Sequence, residues 1–226
     1  MPDALAARRW DEEYRRGRYA GEAPLPFVRT IVQVVRSARL AADAVGLYVG
    51  CGNGRNYLPL VDAGLSLYGL DVSPEALRQL AARRPELSGR LLQGDFLDVE
   101  PPGRLAYLIA IQVFQHGGRA DAAAYFDRVG ALLPSGGLFF LRVNSAATQV
   151  IRRHSVIERG EHGDFSVRYL EGPKDGMAIH FYARAELAAL TGARFETIME
   201  PREEIVHRAP PERGFWAQWE AVYRRR

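Results

Sequence analysis

Three glycines alternate with other residues in the motif GCGNG at positions 50–54, directly after the apolar stretch 45–49. Glycines at this spacing let the backbone turn sharply after a buried strand and approach a ligand that a Cβ would hold off. The following residues, 55–60, are expected to open a helix whose unpaired N–H groups face that ligand. A dinucleotide fingerprint would place its third glycine at position 55, which is Arg55. The pattern therefore predicts a site for a ligand without phosphate; a plain strand-to-helix connection is the alternative.

An acidic residue, Asp71, ends the next apolar stretch, residues 67–71. This stretch is typical of a second buried strand, and Ser73 followed by Pro74 predicts a helix start with Ser at the N-cap. A carboxylate at this position can accept hydrogen bonds from both vicinal hydroxyls of a ribose. A helix-capping or loop role is the alternative for an Asp at such a turn.

A third apolar strand, residues 90–93, is followed closely by Asp95 and Phe96. Asp95 could accept a hydrogen bond from the exocyclic amine of adenine, and the Phe96 ring could cover a ring face. Taken alone, Asp95 could equally be a loop residue. The glycine turn and the two acids come in the order that an adenosine pocket requires, so together they favour that function.

These motifs make the chain similar to the class I S-adenosylmethionine-dependent methyltransferases over roughly residues 43–200. The resemblance implies an α/β fold that is Rossmann-like, with a seven-stranded, mostly parallel sheet, helices on both faces and an antiparallel C-terminal hairpin. Together, GCGNGRN and residues 9–14 resemble the branch that includes tellurite-resistance-type and thiopurine-type small-molecule enzymes. The matching segments are GCGNGRN at 50–56, YGLDVSPEAL at 68–77, GDF at 94–96 and LLPSGGLFFL at 132–141.

The same resemblance implies S-adenosyl-L-methionine as the cofactor and assigns residues to it. The glycine turn would lie against the methionine part, Asp71 would hold the ribose, Val72 would pack on adenine, and Gln112 would line the methyl-donor pocket. In related enzymes an N-terminal helix closes over this pocket, so residues 1–42 are expected to form a lid. The expected cofactor-binding residues are Trp10, Tyr14, Gly50, Cys51, Gly52, Asn53, Gly54, Asn56, Asp71, Val72, Asp95, Phe96 and Gln112.

Two tyrosines depart from the family pattern. Tyr48 stands where the family usually has an acidic residue, and Tyr107 stands where it commonly has Asp near the start of the fourth strand. A phenol can hydrogen-bond but carries no negative charge at neutral pH. A working enzyme is still favoured, with a catalytically weak or inactive S-adenosylmethionine-binding module as the alternative. An NAD-dependent oxidoreductase is disfavoured by the glycine spacing.

His116 is the predicted catalytic residue, because it follows the fourth strand, residues 106–111, closely. Methyl transfer is an in-line displacement, which needs alignment and exclusion of water more than it needs a base. An oxygen or protonated amine acceptor would need a base, and histidine is suited to that role. A histidine that merely hydrogen-bonds at a strand end is the alternative. No Asn-Pro-Pro-Tyr-type sequence follows, which argues against the amino-methylating nucleic-acid enzymes.

Substrate contacts are predicted mainly from a long irregular insertion at residues 144–182, interpreted as a substrate cap. The candidates are Tyr19, Arg142, Arg168 and Tyr182. Either arginine could bind a substrate carboxylate, although an intramolecular ion pair is the ordinary role of such a residue.

The remaining chain is predicted to complete the sheet. Helices are expected at 120–133 and 186–190, a buried strand at 138–143, and two last strands joined by a proline-rich connection. Those two strands are predicted at 195–199 and 215–223, with the connection at 200–214.

Length and composition fit one domain, 1–226, with 47% hydrophobic residues. Cys51 is the single cysteine, so no internal disulfide is possible, and a cytoplasmic location is expected because no signal or membrane-spanning segment is visible. The net charge is +3, and the 29 arginines are scattered among acids, so nucleic acid is not indicated. Cysteine and histidine show no metal-ligand spacing, so no metal is expected. The predicted partner is a small-molecule methyl acceptor.

Overall fold

The computed structural model describes residues 4–41 and 43–226. Two compact units divide the chain: the described residues up to Ile109 with Leu132–Leu138, and Ala110–Ala131 with Phe139–Arg226. The helices are α1 (Ala4–Arg15), α2 (Phe27–Ser37), α3 (Tyr57–Asp62), α4 (Pro74–Arg83), α5 (Arg119–Leu132) and α6 (Arg184–Thr191). The strands are β1 (Val45–Val49), β2 (Leu67–Asp71), β3 (Leu91–Gln93), β4 (Leu105–Ile111), β5 (Leu138–Asn144), β6 (His154–Arg159), β7 (Phe165–Tyr169), β8 (Ala178–Phe181), β9 (Phe195–His207) and β10 (Phe215–Arg225).

Seven strands form one sheet in the order β3-β2-β1-β4-β5-β10-β9. β1 pairs in parallel with β2, and β2 pairs in parallel with β3, whereas β10 and β9 are antiparallel. The predicted fold class, a mostly parallel Rossmann-like sheet with an antiparallel C-terminal hairpin, is confirmed. No helix in the described part of the chain has the length and apolar character needed to cross a membrane.

The core of the first unit forms around the buried strands β1 and β2. Position 46 of β1 requires a glycine, because a Cβ at Gly46 would overlap the ring of Tyr107. The Tyr107 hydroxyl donates to the carbonyl of Ser66 at 2.7 Å, before the first residue of β2. Asp71 and the glycine turn lie at the other, carboxyl ends of these parallel strands. Tyr107 is therefore a packing residue remote from that end.

The start of α4 is as predicted from the sequence. Ser73 is the N-cap in an extended conformation, and its side chain accepts a hydrogen bond from the backbone N–H of Ala76 at 3.1 Å. Pro74 takes the first helical position, where its missing N–H has no helical partner to lose. This cap fixes the direction in which the chain leaves Asp71.

The expectation that residues 144–182 are irregular is wrong. They contain β6, β7 and β8, which form a separate antiparallel sheet in that order. β7 has the sequence FSVRY, whose alternation of apolar and polar residues is typical of a half-buried strand. The core of this three-stranded sheet contains Val167, Tyr169, Ile179 and Phe181. The frequent glycines and charges in the neighbouring turns obscured this short pattern in the sequence.

The predicted end of β9 is also wrong, because the strand continues from Met199 to His207. Pro201 lies inside it, at a register shift opposite Ala221. A proline, which cannot donate to a ladder, is tolerated at a bulge and on an edge strand, and β9 is the last strand of the sheet. The connection to β10 is consequently only residues 208–214.

Candidate cofactor site

The glycine turn is closed onto the end of β2 by backbone hydrogen bonds. The N–H groups of Gly50 and Cys51 both donate to the carbonyl of Leu70, at 2.8 and 3.0 Å. Gly50, Gly52 and Gly54 have φ values of +70°, +55° and +96°, in the left-handed region that other residues adopt only with strain. The alternating glycines are thus required by the turn itself.

Asp71 joins this turn to the start of α4. One carboxylate oxygen accepts from the N–H of Gly52 at 2.7 Å, and the other accepts from the N–H of Ser73 at 2.9 Å. Each oxygen can accept a second hydrogen bond, so the carboxylate keeps the capacity to bind two hydroxyls. Residues from two neighbouring turns are therefore held around one acidic group.

Burial raises the pKa of Asp71 to about 6, with the nearby Asp11 carboxylate adding to the rise. The N–H groups of Ser73 and Gly52 act in the opposite direction, because they stabilise the ionised form. Asp71 is consequently ionised in most molecules at neutral pH and becomes protonated just below it.

Tyr14 of α1 covers the glycine turn. Its side chain is buried, and a Cβ added at Gly52 would overlap its hydroxyl. The ring centroid lies 6.0 Å from that of Trp10 and 6.4 Å from that of Tyr19. Desolvation, with the Asp71 carboxylate as the next cause, raises the pKa of Tyr14 well above its ordinary value. A neutral hydroxyl from the N-terminal segment thus lies directly beside the turn.

Further hydrogen bonds tie the chain after α1 to the turn. The side-chain amide of Asn53 donates to the carbonyl of Arg18 at 3.0 Å, and the side-chain oxygen of Asn56 accepts from the N–H of Leu25 at 2.9 Å. The Arg55 guanidinium donates to the carbonyl of Ala23 at 2.8 Å. Both asparagines were predicted to bind cofactor, and here their side chains hold the N-terminal segment.

Asp11 is a residue of this site that the sequence analysis missed. It accepts from the hydroxyl of Ser73 and from the N–H of Glu75, the latter at 3.2 Å. Gln79 of α4 donates to the carbonyl of Tyr14 at 3.0 Å. Asp11 therefore contacts the first turn of α4, where free N–H groups attract a carboxylate. The open N–H groups at a predicted helix start were the available signal, but the partner lies more than sixty residues away in sequence.

Cys51 packs inside the turn. Its Sγ atom would lie 2.9 Å from a Cβ at Gly69, so the thiol fills the space that this glycine leaves on β2. Burial raises the pKa of the thiol well above its usual range, with the Asp71 carboxylate adding to the effect. The thiol stays protonated, which agrees with a packing role and not with a nucleophile.

The predicted adenine-binding residues follow β2 and β3. Val72 is partly exposed, Phe96 is buried, and Asp95 is partly exposed with one oxygen accepting from the N–H of Leu97 at 2.8 Å. That bond is the loop role considered for Asp95, and it leaves the second carboxylate oxygen available. Tyr48 is buried against Tyr57, edge to face, with ring centroids 6.1 Å apart.

Gln112 and His116 belong to the second unit, immediately after β4. Gln112 has a φ of +58°, which is rare for a residue other than glycine, and its N–H donates to the carbonyl of Arg142 at 2.7 Å. Such strained backbone is concentrated at functional sites. Desolvation, with the Lys174 ammonium as the second cause, lowers the pKa of His116 to about 3. His116 is therefore neutral at physiological pH and a weak base.

The predicted substrate residues differ in their surroundings. Arg142 is buried, with its Nε atom 2.9 Å from Glu220, so its guanidinium is used inside the protein. Tyr182 is fully buried, and its hydroxyl donates to the carbonyl of Phe114. Arg168 is exposed and donates to the carbonyl of Gly176 at 2.8 Å. The contacts of Arg142 and Tyr182 do not favour a role in substrate binding.

Tyr19, the fourth predicted substrate residue, lies near two guanidiniums. The Arg18 and Arg55 guanidinium carbons are 4.7 and 5.2 Å from its ring centroid. Its φ is +62°, so the backbone is held in a left-handed conformation.

Comparison with known proteins shows a likeness between part of this chain and methyltransferases. Residues 47–137 match a family model described as a methyltransferase domain. This match confirms the predicted enzyme class. Among the curated proteins, none matches the sequence.

Solved structures share the fold along nearly the whole chain. One is the 1,6-didemethyltoxoflavin-N1-methyltransferase of Burkholderia thailandensis with bound 1,6-didemethyltoxoflavin and S-adenosylhomocysteine, at 20% identity and a TM-score of 0.64, covering 99% of this chain and 90% of that one. Another is CalS10 of Micromonospora echinaspora, an amino pentose methyltransferase with bound S-adenosylmethionine, at 19% identity and a TM-score of 0.56, covering 92% and 96%. The CcbJ methyltransferase of Streptomyces caelestis has 21% identity and a TM-score of 0.59, covering 89% and 90%. S-adenosylmethionine, the predicted cofactor, is the methyl donor that the domain and these complexes indicate.

Proposed function

We propose that this protein transfers the methyl group of S-adenosylmethionine to a small-molecule acceptor. The observation that carries the proposal is the Asp71 carboxylate, which is held by the N–H groups of Gly52 and Ser73 at the end of β2. In this arrangement the glycine backbone allows a ligand to approach closely, and the Asp71 carboxylate is a fixed acceptor for ribose hydroxyls. Tyr14 covers the same turn, so the cofactor would be enclosed rather than exposed to water.

In this proposal each part of the cofactor has its own contacts. The methionine part lies on the glycine turn, the ribose binds Asp71, adenine packs on Val72, and Asp95 with Phe96 forms the rim. The N-terminal segment is the lid; of the predicted range 1–42, residues 1–3 and 42 lie outside the described residues. Gln112 and His116 lie in the other unit, and their contacts with cofactor and acceptor stay predictions.

The chemistry favours an acceptor that is already nucleophilic at neutral pH. A base works best when its pKa lies near the working pH, and that of His116 is about 3. An unprotonated nitrogen or a sulfur needs only alignment with the methyl group and exclusion of water. We infer that His116, if it contacts the acceptor, orients it and does not remove its proton.

A small molecule is the favoured acceptor class because two of the structural neighbours are described as a 1,6-didemethyltoxoflavin-N1-methyltransferase and an amino pentose methyltransferase. The three-stranded sheet of β6, β7 and β8 is proposed as the substrate cap, with exposed Arg168 available to an anionic group. The narrower tellurite-resistance or thiopurine-type branch remains a prediction from the resemblance.

A turnover assay tests this proposal. The protein is incubated with S-adenosylmethionine carrying a labelled methyl group and with a panel of amine, thiol, hydroxyl and heteroaromatic acceptors. The expected result is formation of S-adenosylhomocysteine that depends on one acceptor class and is lost in Asp71→Ala. Tight cofactor binding without turnover on any acceptor would instead support the inactive binding module.

A further inference from the structure

Three ionisable side chains meet in the interior of the second unit. His180 of β8 is fully buried, and Asp164 and Glu186 are 1% and 5% exposed. One carboxylate oxygen or ring nitrogen from each lies within 4.8 Å of the others. We call these residues the His180 cluster. Burial of several ionisable groups costs free energy unless they are compensated by hydrogen bonds, opposite charges or a metal ion.

The hydrogen bonds fix the orientation of the imidazole. The single hydroxyl hydrogen of Ser166 is donated to Glu158, at an oxygen-to-oxygen distance of 2.7 Å. The contact of 2.8 Å between the Ser166 hydroxyl and Nδ1 of His180 then requires the hydrogen to be on Nδ1. The other nitrogen, Nε2, is 3.0 Å from both carboxylate oxygens of Glu186. In a neutral ring, a lone pair would therefore face a carboxylate.

Asp164 provides the second, independent observation. Both of its carboxylate oxygens are buried, and neither accepts a hydrogen bond from any residue that the structure describes. The Nε atom of Arg119 lies 2.7 Å from one oxygen without the alignment of a hydrogen bond. Gly160 makes room for this carboxylate, because a Cβ there would overlap it. Asp164 thus has two acceptor oxygens in the interior that receive no hydrogen bond from the described residues.

Charge also favours a bound cation. The Ser166 hydroxyl and the N–H of Arg119 donate to the same oxygen of Glu158, at 2.7 and 2.6 Å, so a third carboxyl group borders the cluster. Arg119 contributes one guanidinium to this group, 2.7 Å from Asp164. A divalent cation would add positive charge beside the three carboxyl groups.

We propose that Asp164, His180 and Glu186 bind one divalent transition-metal ion, with Zn²⁺ the best match. One imidazole nitrogen and two carboxylates are ligands that such ions accept, whereas Mg²⁺ and Ca²⁺ prefer oxygen alone. The 3.0 Å between Nε2 and the Glu186 oxygens suits two ligands around an ion at about 2.0–2.1 Å from each. Ser166 holds the ring in the way that outer residues hold metal-bound histidines. The ion would join the turn before β7 to β8 and α6.

Metal binding to the untagged wild-type protein tests the proposal. The chain is treated with a chelator, titrated with Zn²⁺ against a chelating dye, and assayed for bound zinc after gel filtration. We expect one zinc per chain and a higher Tm with Zn²⁺ than with the same concentration of Mg²⁺. A folded protein that retains no stoichiometric zinc would overturn the proposal and assign a proton to the space between His180 and Glu186.

Two variants and one control locate the site. Glu186→Gln removes a charged ligand, and Gly160→Ala displaces Asp164 without altering any ligand; each should weaken zinc binding at least about tenfold. His162→Ala is the control, because His162 lies 3.6 Å from Glu161 in a more exposed pair and should leave the affinity unchanged. Loss of binding in the control alone would assign the ion to that pair and refute the proposal.

A spectroscopic measurement keeps the test decisive where a variant fails to fold. Co²⁺ bound to the wild type should give visible absorption bands typical of mixed nitrogen and oxygen ligation, and Zn²⁺ should displace it. Unaltered Co²⁺ absorption equal to that of the free ion would contradict the site. None of these readouts uses methyl transfer, so failure here leaves the proposed function untouched.

Discussion

The candidate cofactor site and the His180 cluster are built in opposite ways. At the centre of the candidate cofactor site, backbone N–H groups of Gly52 and Ser73 hold the Asp71 carboxylate, and these three residues belong to two strand-to-helix turns. In the cluster, side chains from a turn, a strand and a helix meet. A site built from backbone in turns requires glycine and capping residues at fixed spacing, so it leaves a motif. A site built from distant side chains leaves none.

The largest effect is expected where a buried side chain loses its partner. In chelator-treated protein, Glu186→Ala should lower the free energy of unfolding by about 3 kcal/mol, because the buried hydrogen bond between Nε2 of His180 and Glu186, which forms when no metal is bound, is then lost. Urea unfolding measures this change. Glu161→Ala, in the more exposed pair with His162, should change it by less than about 0.5 kcal/mol. Equal effects would remove the distinction between the cluster and an ordinary surface pair.

The pH dependence of stability tests the electrostatic state of Asp71. Its pKa is raised from 3.8 to about 6, so the folded protein binds the proton more tightly than the unfolded chain. That contribution is complete below about pH 4 and is lost as pH rises through 6, by up to about 3 kcal/mol. Urea unfolding at pH 4.5 and 7.5 should show this loss in the wild type and much less in Asp71→Asn. Identical slopes would contradict the assigned pKa.

A change confined to the backbone should damage the cofactor site. Gly52→Ala places a Cβ at a φ of +55° and against the Tyr14 hydroxyl, so affinity for S-adenosylmethionine should fall about 100-fold while the chain still folds. The matched control is Gly64→Ala, which has a φ of +90° and no described atom within 4 Å of the added Cβ. Gly64→Ala has backbone strain, as Gly52→Ala does, but no overlap with another residue, so it should bind the cofactor with the affinity of the wild type. Calorimetry measures the affinity of both variants.

A smaller effect is expected where side chains hold the lid. Asp11→Ala removes the acceptor for Ser73 and Glu75, so the cofactor should dissociate about fivefold faster, corresponding to roughly 1 kcal/mol. Stopped-flow displacement of bound S-adenosylhomocysteine measures this rate. Glu12→Ala, which removes only a partly exposed pair with Arg9, serves as the control and should leave it unchanged. An unaltered rate in Asp11→Ala would show that the lid does not depend on this contact.

The fold could be predicted where short-range rules decide the structure. The glycine turn, the Ser73 cap and the order of the buried strands all follow from residues close in sequence, and the structure has each of them. The prediction was wrong at 144–182 and 200–207. There a half-buried sheet with short alternation and a strand containing Pro201 are stabilised by pairing with neighbours that no local pattern specifies.

The same limit applies to the candidate site. The arrangement of Asp71 beside the glycine turn could be predicted because both belong to a motif, whereas Asp11 reaches the candidate site from a helix distant in sequence. Arg142 and Tyr182 were assigned by residue type alone, and only the structure reveals the internal partners that occupy them. The spacing of Asp164, His180 and Glu186 matches no metal motif, so three-dimensional proximity was the only available signal.

Calorimetric titration with S-adenosylmethionine and S-adenosylhomocysteine is the decisive test of whether Asp71 and the glycine turn bind the cofactor. The wild type is compared with Asp71→Ala and with Asp98→Ala, which alters an exposed acid in the loop after β3. We expect micromolar binding to the wild type and to Asp98→Ala, and binding at least about 100-fold weaker to Asp71→Ala. A folded wild type that binds neither ligand, or an Asp71→Ala variant that binds as well as the wild type, would contradict this expectation.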